Sequence, residues 1–382
     1  MLMIPNQKNV CIRCILAIVV LCCTINAKSQ YTTDKVMGPK NQALADSLKQ
    51  STYPYMLPIW GKKVVAKGFN IPKSAGLSIQ YVYQSSDILI SDLSVGFNHG
   101  QMYPLDQIIR FNSATATTNG VNIRPDFWLF PFLNVYALFA KSKTSTEIDA
   151  GVWLPTDSAW KQITNLHTKA NFNATTFGFG LTPTVGIRGY FLALDANFSW
   201  SDIEELAKPA FVFVFGPRFG KNIPIKKKKD MSVAFWAGGF RVQMGSATSG
   251  SINATDILPL DQWQQKVNTG YTNVAEKQAK VDNWWNGLSS TEQKNPVNVA
   301  KHETANRVLG TFGNVLDQAS QIVSNAGDGS VQYSLSKTQK QKWNFIIGSQ
   351  YQFNRSWMLR VEYGFLGTRQ QLIAGLQWRF NL

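Results

Sequence analysis

The chain has 382 residues, a formal charge of +15 and 44% hydrophobic residues, with 12 Trp, 12 Tyr and 23 Phe. Beyond the first few tens of residues no stretch reaches the ~18 uninterrupted apolar residues of a membrane helix, which excludes helical spans from the body of the chain. All four cysteines (Cys11, Cys14, Cys22, Cys23) lie near the start, so a body freed of that segment has no disulfide, no thiolate chemistry and no Cys-ligated metal.

Residues 1–27 read as a signal peptide. Lys8 and Arg13 give a positive n-region, residues 15–23 a short apolar h-region, and Asn26 and Ala27 a small-residue cleavage site, with Ile25 at −3. The run is too short for an anchor helix. Cleavage before Cys23, as in a lipoprotein, is disfavoured because Val20, Leu21 and Cys22 lack the usual small residues. The mature chain is then expected to begin at Lys28. Residues 28–58 carry little strand signal and read as an extension ahead of a main body at 59–382. The basic surplus of a secreted chain suits contact with anionic lipid headgroups better than nucleic acid. The four lysines at 226–229 read as a solvated turn.

Period-two alternation dominates the body. In 356–365 Trp357, Leu359, Val361, Tyr363 and Phe365 share one face, against Ser356, Met358, Arg360, Glu362 and Gly364. In 190–200 Tyr190, Leu192, Leu194, Ala196, Phe198 and Trp200 oppose Asp195, Asn197 and Ser199. Segments 176–188, 342–353 and 370–380 behave alike. Successive strand side chains point to opposite faces, so these are strands. They run ten residues or more, beyond the usual ~5–6 and near the length of a tilted membrane strand. Their apolar faces end in aromatics, while their polar faces carry small residues and charges of both signs. A soluble sandwich would hide the apolar face between sheets; a membrane barrel turns it to lipid. The second fits better.

The expected fold is therefore an all-β antiparallel transmembrane barrel of about 12 strands, with 10 or 14 as alternatives. The clearest strands are 118–130, 131–142, 175–189, 190–201, 209–219, 230–244, 341–353, 356–365 and 369–380; 75–84, 88–97 and one near 60–70 complete the even count. Short turns are expected at Pro131, Gly189, 221–230 and 354–355, and long connections at 98–118, 143–174, 201–208 and 246–340. Residues 258–325 break the pattern. Trp263, Val267, Tyr271, Val274, Val281, Trp284 and Leu288 recur at helical spacing, followed by Val299, Val308, Phe312, Val315, Ala319 and Ile322. Ser289 with Glu292 forms a capping box, and Asn295 with Pro296 an N-cap and N1 pair. The expectation is an inserted αα-hairpin whose two stripes pack on each other outside the membrane; the alternative is a lid or plug over the barrel.

The last strand carries Gly375, Trp378 and Phe380. It resembles the terminal strand of Gram-negative outer-membrane barrels, which the barrel-assembly machinery reads; here Ile373 replaces the usual polar residue and Asn381 and Leu382 follow. The resemblance implies an outer-membrane location and contact with outer-membrane lipid and lipopolysaccharide; with the last strand ending in the periplasm, counting strands back from Phe380 puts the insertion on the extracellular side, and 28–58 reads as periplasmic. Asp46, Ser47 and Leu48, and Asp157, Ser158 and Ala159, resemble the O-glycosylation acceptor of Bacteroidota secreted proteins, with Ser47 and Ser158 as the modified residues.

The charges on the polar faces are the expected functional residues. Arg124, Asp126, Arg188, Asp195, Arg360 and Glu362 must face inward, because an Arg on the lipid face costs about 2–4 kcal/mol near the midplane. Inside, opposite signs can pair as a bracing network or set pore selectivity. No phosphate loop, HExxH or dinucleotide fingerprint occurs, and no cofactor or metal is expected. His99, His167 and His302 fall on three separate connections, with His302 reading as a surface residue. Some outer-membrane lipid hydrolases resemble this chain in size and barrel class and place a Ser–His pair near the outer rim. Ser94 and His99 are the nearest pair here, on opposite faces of a regular strand. The expected function is thus a non-enzymatic barrel, either a narrow channel or a loop-presenting membrane protein; the alternative is a lipid-modifying hydrolase.

Overall fold

The structure, a computed structural model, describes residues 53–382 apart from 158, 205, 226–229, 246, 258 and 326. The signal peptide, most of the 28–58 extension, Ser47, Ser158 and the four lysines lie outside the described residues.

A short helix α1 (Gly61–Val65) precedes the strands β1 (Ala75–Phe97), β2 (Tyr103–Pro104), β3 (Ile109–Phe130), β4 (Leu133–Pro155), β5 (Trp160–Ile187), β6 (Tyr190–Ile203), β7 (Ala210–Pro224), β8 (Ser232–Met244) and β9 (Ala247–Asn253). Then come α2 (Ala254–Ile257), α3 (Leu260–Gly287), α4 (Ser290–Gln293) and α5 (Pro296–Ser324), followed by β10 (Ser330–Gln339), β11 (Trp343–Gln352), β12 (Trp357–Leu366) and β13 (Arg369–Phe380). Ten strands close an antiparallel barrel in the order β1, β3, β4, β5, β6, β7, β8, β11, β12, β13, sealed by β1 against β13 from Ala75↔Phe380 to Ser86↔Arg369. Closure leaves no edge in the wall.

The count of 12 is corrected to 10. Residues 75–84 and 88–97 are one strand, because β1 changes partner rather than turning back. The stretch near 60–70 holds α1 instead of a strand. The connections expected at 98–118 and 143–174 are largely strand: β3, β4 and β5 stay paired far above the barrel, up to Pro155↔Trp160. Polar Thr, Ser and Asn residues fill those stretches. They read as loop by composition, yet they pair in one continuous ladder, whose far ends carry Val152 and Leu154 into the core under the helices.

The turns at Pro131–Phe132, Arg188–Gly189 and 353–356 share one end of the barrel with both termini of the described chain. At the opposite end stands a head. There β1 departs from β13 and β3 after Asp87 and pairs with β10, which pairs with β9. The helices are capped as expected: Ser289 and Glu292 form a reciprocal box, and Asn295 caps α5 with Pro296 behind it. Each long helix rises about 42–44 Å at 1.5 Å per residue. Their buried stripes (Val267 and Val281; Val308, Leu309, Val315 and Ile322) meet one another, but also Leu93, Phe97, Val152, Leu154, Val331 and Leu335 of the strands. The hairpin is therefore not packed on itself alone; it roofs a core shared with the extended strands.

Around the barrel every strand presents large apolar side chains outward. These include Ile79, Ile123, Phe139, Phe179, Leu192, Phe219, Phe235, Phe345, Leu359 and Leu376, all between 40% and 59% exposed. Burial of apolar surface drives folding, so an exposed belt this continuous calls for an apolar surrounding. The belt has charged borders. On β4 the outward series runs from Phe139 to Lys141 and Lys143, on β8 from Phe235 to Arg241, and on β7 from Phe219 to Lys221.

Candidate functional site in the barrel lumen

The inward positions alternate between bulky rings and glycine. A Cβ on Gly180 would lie 2.3 Å from the Tyr136 ring, one on Gly348 2.2 Å from Trp236, and one on Gly220 2.5 Å from Phe191. Each ring lies against a bare stretch of wall, so a ten-stranded lumen is filled without strain. Tyr136, Phe191 and Trp236 are all under 5% exposed.

Between these rings the charges converge. Arg218 on β7 spans to Glu362 on β12 with two parallel bonds, Nε to Oε2 at 2.8 Å and Nη2 to Oε1 at 3.0 Å. Its Nη1 lies 3.4 Å from Asp195 Oδ2 on β6. Glu362 also accepts from Arg360 Nη2 at 3.2 Å and from Trp236 Nε1 at 2.8 Å. Asp195 accepts from the Tyr136 hydroxyl at 2.9 Å and from the Thr182 hydroxyl at 2.8 Å. Arg124 stacks on Tyr136, 3.8 Å from the ring centre. Toward the turn end a second group forms on Asp126, which pairs with Arg379 at 3.0 Å and accepts from Asn134 at 2.8 Å and Gln377 at 2.7 Å. Bidentate and charge-assisted bonds are the strong ones, and both carboxylates at the centre are held by several donors at once. Breaking one partner of a buried pair is far more costly than the pair is worth. The arrangement is a brace inside the lumen that ties β6 and β7 to β12, which lies three places from β7 along the ring of ten, and β3 to β13 across β1.

Beneath the brace lies a cavity of about 130 Å³. Its lining runs from Pro72, just before β1, to Gln352 and Met358 at the turn end of the barrel.

Five of the six charges expected inside are brought together here: Arg124, Asp126, Asp195, Arg360 and Glu362. Arg188 is not. It sits in the β5–β6 turn with φ 53°, exposed, because Gly189 ends the strand and the alternation with it. Arg218, Arg379, Tyr136 and Trp236 were not singled out from sequence. Arg218 had a signal, since it alternates with Phe211, Phe213, Phe215 and Phe219; the neighbouring Pro217 obscured it. Gly375 faces inward beside Gln80, while Trp378 stands outward beside Trp357 at 6.4 Å and beside Phe380 at 4.7 Å. His99 is exposed just past β1, its backbone N–H bonded to the Gln332 side chain, and no hydrogen bond joins it to Ser94. His167 is exposed on β5. His302 is half-buried rather than a free surface residue: its ring stacks on Trp285 at 4.1 Å.

No protein family matches the chain, and no curated sequence does. Among solved structures it is similar to the β domain of the Bordetella autotransporter BrkA (9% identity, 80% of this chain and 100% of that one, TM-score 0.33). It is also similar to the translocator domain of the autotransporter NalP from Neisseria meningitidis (8% identity, 89% and 93% coverage, TM-score 0.30). A third is an outer membrane channel from Pseudomonas putida F1 (9% identity, 81% and 96% coverage, TM-score 0.27). All three are outer-membrane β-barrels. Likeness at this level adds nothing to the reading of the site.

Proposed function

We propose that this chain is an integral outer-membrane barrel with a closed lumen, whose task is to carry the β/α head on the extracellular side. One observation carries the reading: all ten wall strands expose apolar side chains, while the lumen they enclose is filled and cross-braced by Arg218, Glu362 and Asp195. The belt supports a lipid surround. The filled lumen supports a carrier over a channel, since conduction needs a lumen left unfilled. On this reading the turn end and residues 28–58 face the periplasm, the signal peptide at 1–27 brings the chain across the inner membrane, and the strand ending in Gly375, Trp378 and Phe380 addresses it to the barrel-assembly machinery. The charged borders at Lys141, Lys143 and Arg241 would meet lipopolysaccharide and lipid headgroups. The mature chain reconstituted in planar bilayers is expected to give no stepwise current. Regular conductance steps that vanish with the barrel unfolded would overturn the closed-carrier reading.

A further inference from the structure

The cavity under the brace has more positive charge than its surroundings neutralise. Four guanidinium groups face it, those of Arg124, Arg218, Arg360 and Arg379. Three carboxylates answer them: Asp126 is taken by Arg379, Asp195 by Arg218, and Glu362 by Arg218 and Arg360 together. Arg124 has no carboxylate within ion-pair distance among the described residues; the face of Tyr136 meets it, and Asp195, already held by Arg218, attracts it only from farther off. Two further groups in the same lining are donors without an acceptor. Trp128 Nε1 and Arg379 Nη2 are buried and make no hydrogen bond, and their residues are 7% and 5% exposed. An indole N–H and a guanidinium can only donate, so neither can satisfy the other. An unmatched donor in a low-dielectric wall costs about 1–3 kcal/mol, more when charged.

One ligand class answers all three deficits. We propose that this cavity is a binding site for a small oxyanion, a carboxylate or a tetrahedral group of the phosphate or sulfate type, held by Arg124 with Trp128 Nε1 and Arg379 Nη2. An oxyanion supplies the missing charge and several acceptor atoms at once, whereas water supplies acceptors without charge. The volume suits a few non-hydrogen atoms and their water, not a sugar or a lipid chain. The inference rests on the lumen's geometry and does not depend on the head or on the carrier reading.

The test uses the full mature chain in detergent, titrated with sodium sulfate and separately with sodium formate, against sodium chloride at equal ionic strength. Saturable binding of sulfate or formate, with the Trp128 indole N–H resonance moving along the same curve, is expected. Arg124→Gln should weaken binding at least tenfold, and Arg124→Lys, which keeps the charge, should retain most of it. Crystals soaked in selenate should show the anomalous peak in the cavity. Selenate at exposed lysines alone, an adventitious ion only, would overturn the proposal. So would binding that is equal in wild type and Arg124→Gln, or a Trp128 signal that follows ionic strength whatever the anion. Should Arg124→Gln fail to fold, the selenate map and the Lys variant decide the matter.

Discussion

Strand β12 offers a graded test of the membrane surround. Its outward residues Trp357, Leu359, Val361, Tyr363 and Phe365 are 38–42% exposed, nearly identical values. In water they would respond alike. In a bilayer they differ in depth: with a rise of about 3.3 Å per residue and a tilt near 40°, each step of two residues moves ~5 Å along the normal. Taking Val361 as the midplane puts Leu359 and Tyr363 ~5 Å from it and Trp357 and Phe365 ~10 Å, near the borders of a band about 25 Å tall. Arg costs about 2–4 kcal/mol at the midplane and about 0–1 at the interfaces. Relative to Ala at each site, so that the lost side chain cancels, Arg should therefore cost about 3 kcal/mol at Val361, about 2 at its two neighbours and under about 1 at the ends. Equilibrium unfolding from phosphatidylcholine bilayers in denaturant, followed by tryptophan fluorescence, reads these differences. A profile flat to within about 0.5 kcal/mol, the usual scatter of surface substitutions, would refute the argument that the belt faces lipid.

Gly348→Ala should cost about 3–5 kcal/mol, because the new methyl drives the Trp236 ring from the wall and breaks its bond to Glu362; Trp236→Leu in the same chain should recover part of that, and a cost below about 1 kcal/mol would mean the ring does not lie there. In whole cells trypsin should cut after Lys280, whose side chain is 48% exposed, and spare Lys277, which is 3% exposed; mass spectrometry of the fragments distinguishes the two, and cutting only after outer-membrane rupture would reverse the proposed sidedness. Glu276 is hydrogen-bonded by Lys277 and Lys280, which pushes its carboxyl down to about 2. Its pKa is lower in the folded chain than in the unfolded one, so the support it gives α3 is present above the ordinary carboxyl value of 4.5 and fades as pH falls toward 2. A carboxyl NMR titration midpoint near 4.5 would contradict this pairing.

The wall was legible because its physics is periodic. Wherever lipid meets one face and packed lumen the other, as on β6, β12 and β13, the sequence alternates and boundaries fall within a residue or two. Legibility failed where the strands leave the lipid. In the upper halves of β3, β4 and β5 the stretches around Thr115, Thr117, Ser145 and Asn171 have no lipid-facing row and look like loop, and large apolar residues return only at the far ends, where Val152 and Leu154 enter the head's core. It failed again at β1, where the outward series Leu77, Ile79, Tyr81 gives way to a new environment and the polar Ser85, Ser86 and Asp87 imitate a turn. The inward carboxylates were readable by parity alone. Their partner Arg218 was readable by the same rule, but which cation crosses to which anion depends on how strands far apart in sequence face each other around a closed barrel, and no local pattern encodes that.

That ambiguity at β1 has a structural meaning. Up to Asp87 the strand is wall, sharing its ladder with β13 and β3; beyond it the same backbone becomes the edge of the head, paired with β10. A register shift between Ser91 and Ser94, with Asp92 at φ 55°, bends it where its surroundings change. Such bulges increase local twist and re-aim a strand. Lys340 at the end of β10 bonds back to the Asp87 carbonyl, and the Asp87 N–H donates to Thr368 at the top of β13, so the fork is pinned on both arms. A head built this way cannot swing on a linker. Its orientation is fixed by continuous strands rising from the wall, and the lumen below needs only to keep that wall round. A brace of buried ion pairs that ties β7 to β12 past two intervening strands, and β3 to β13 past β1, does this, which gives the filled lumen a purpose that does not depend on passing anything through it.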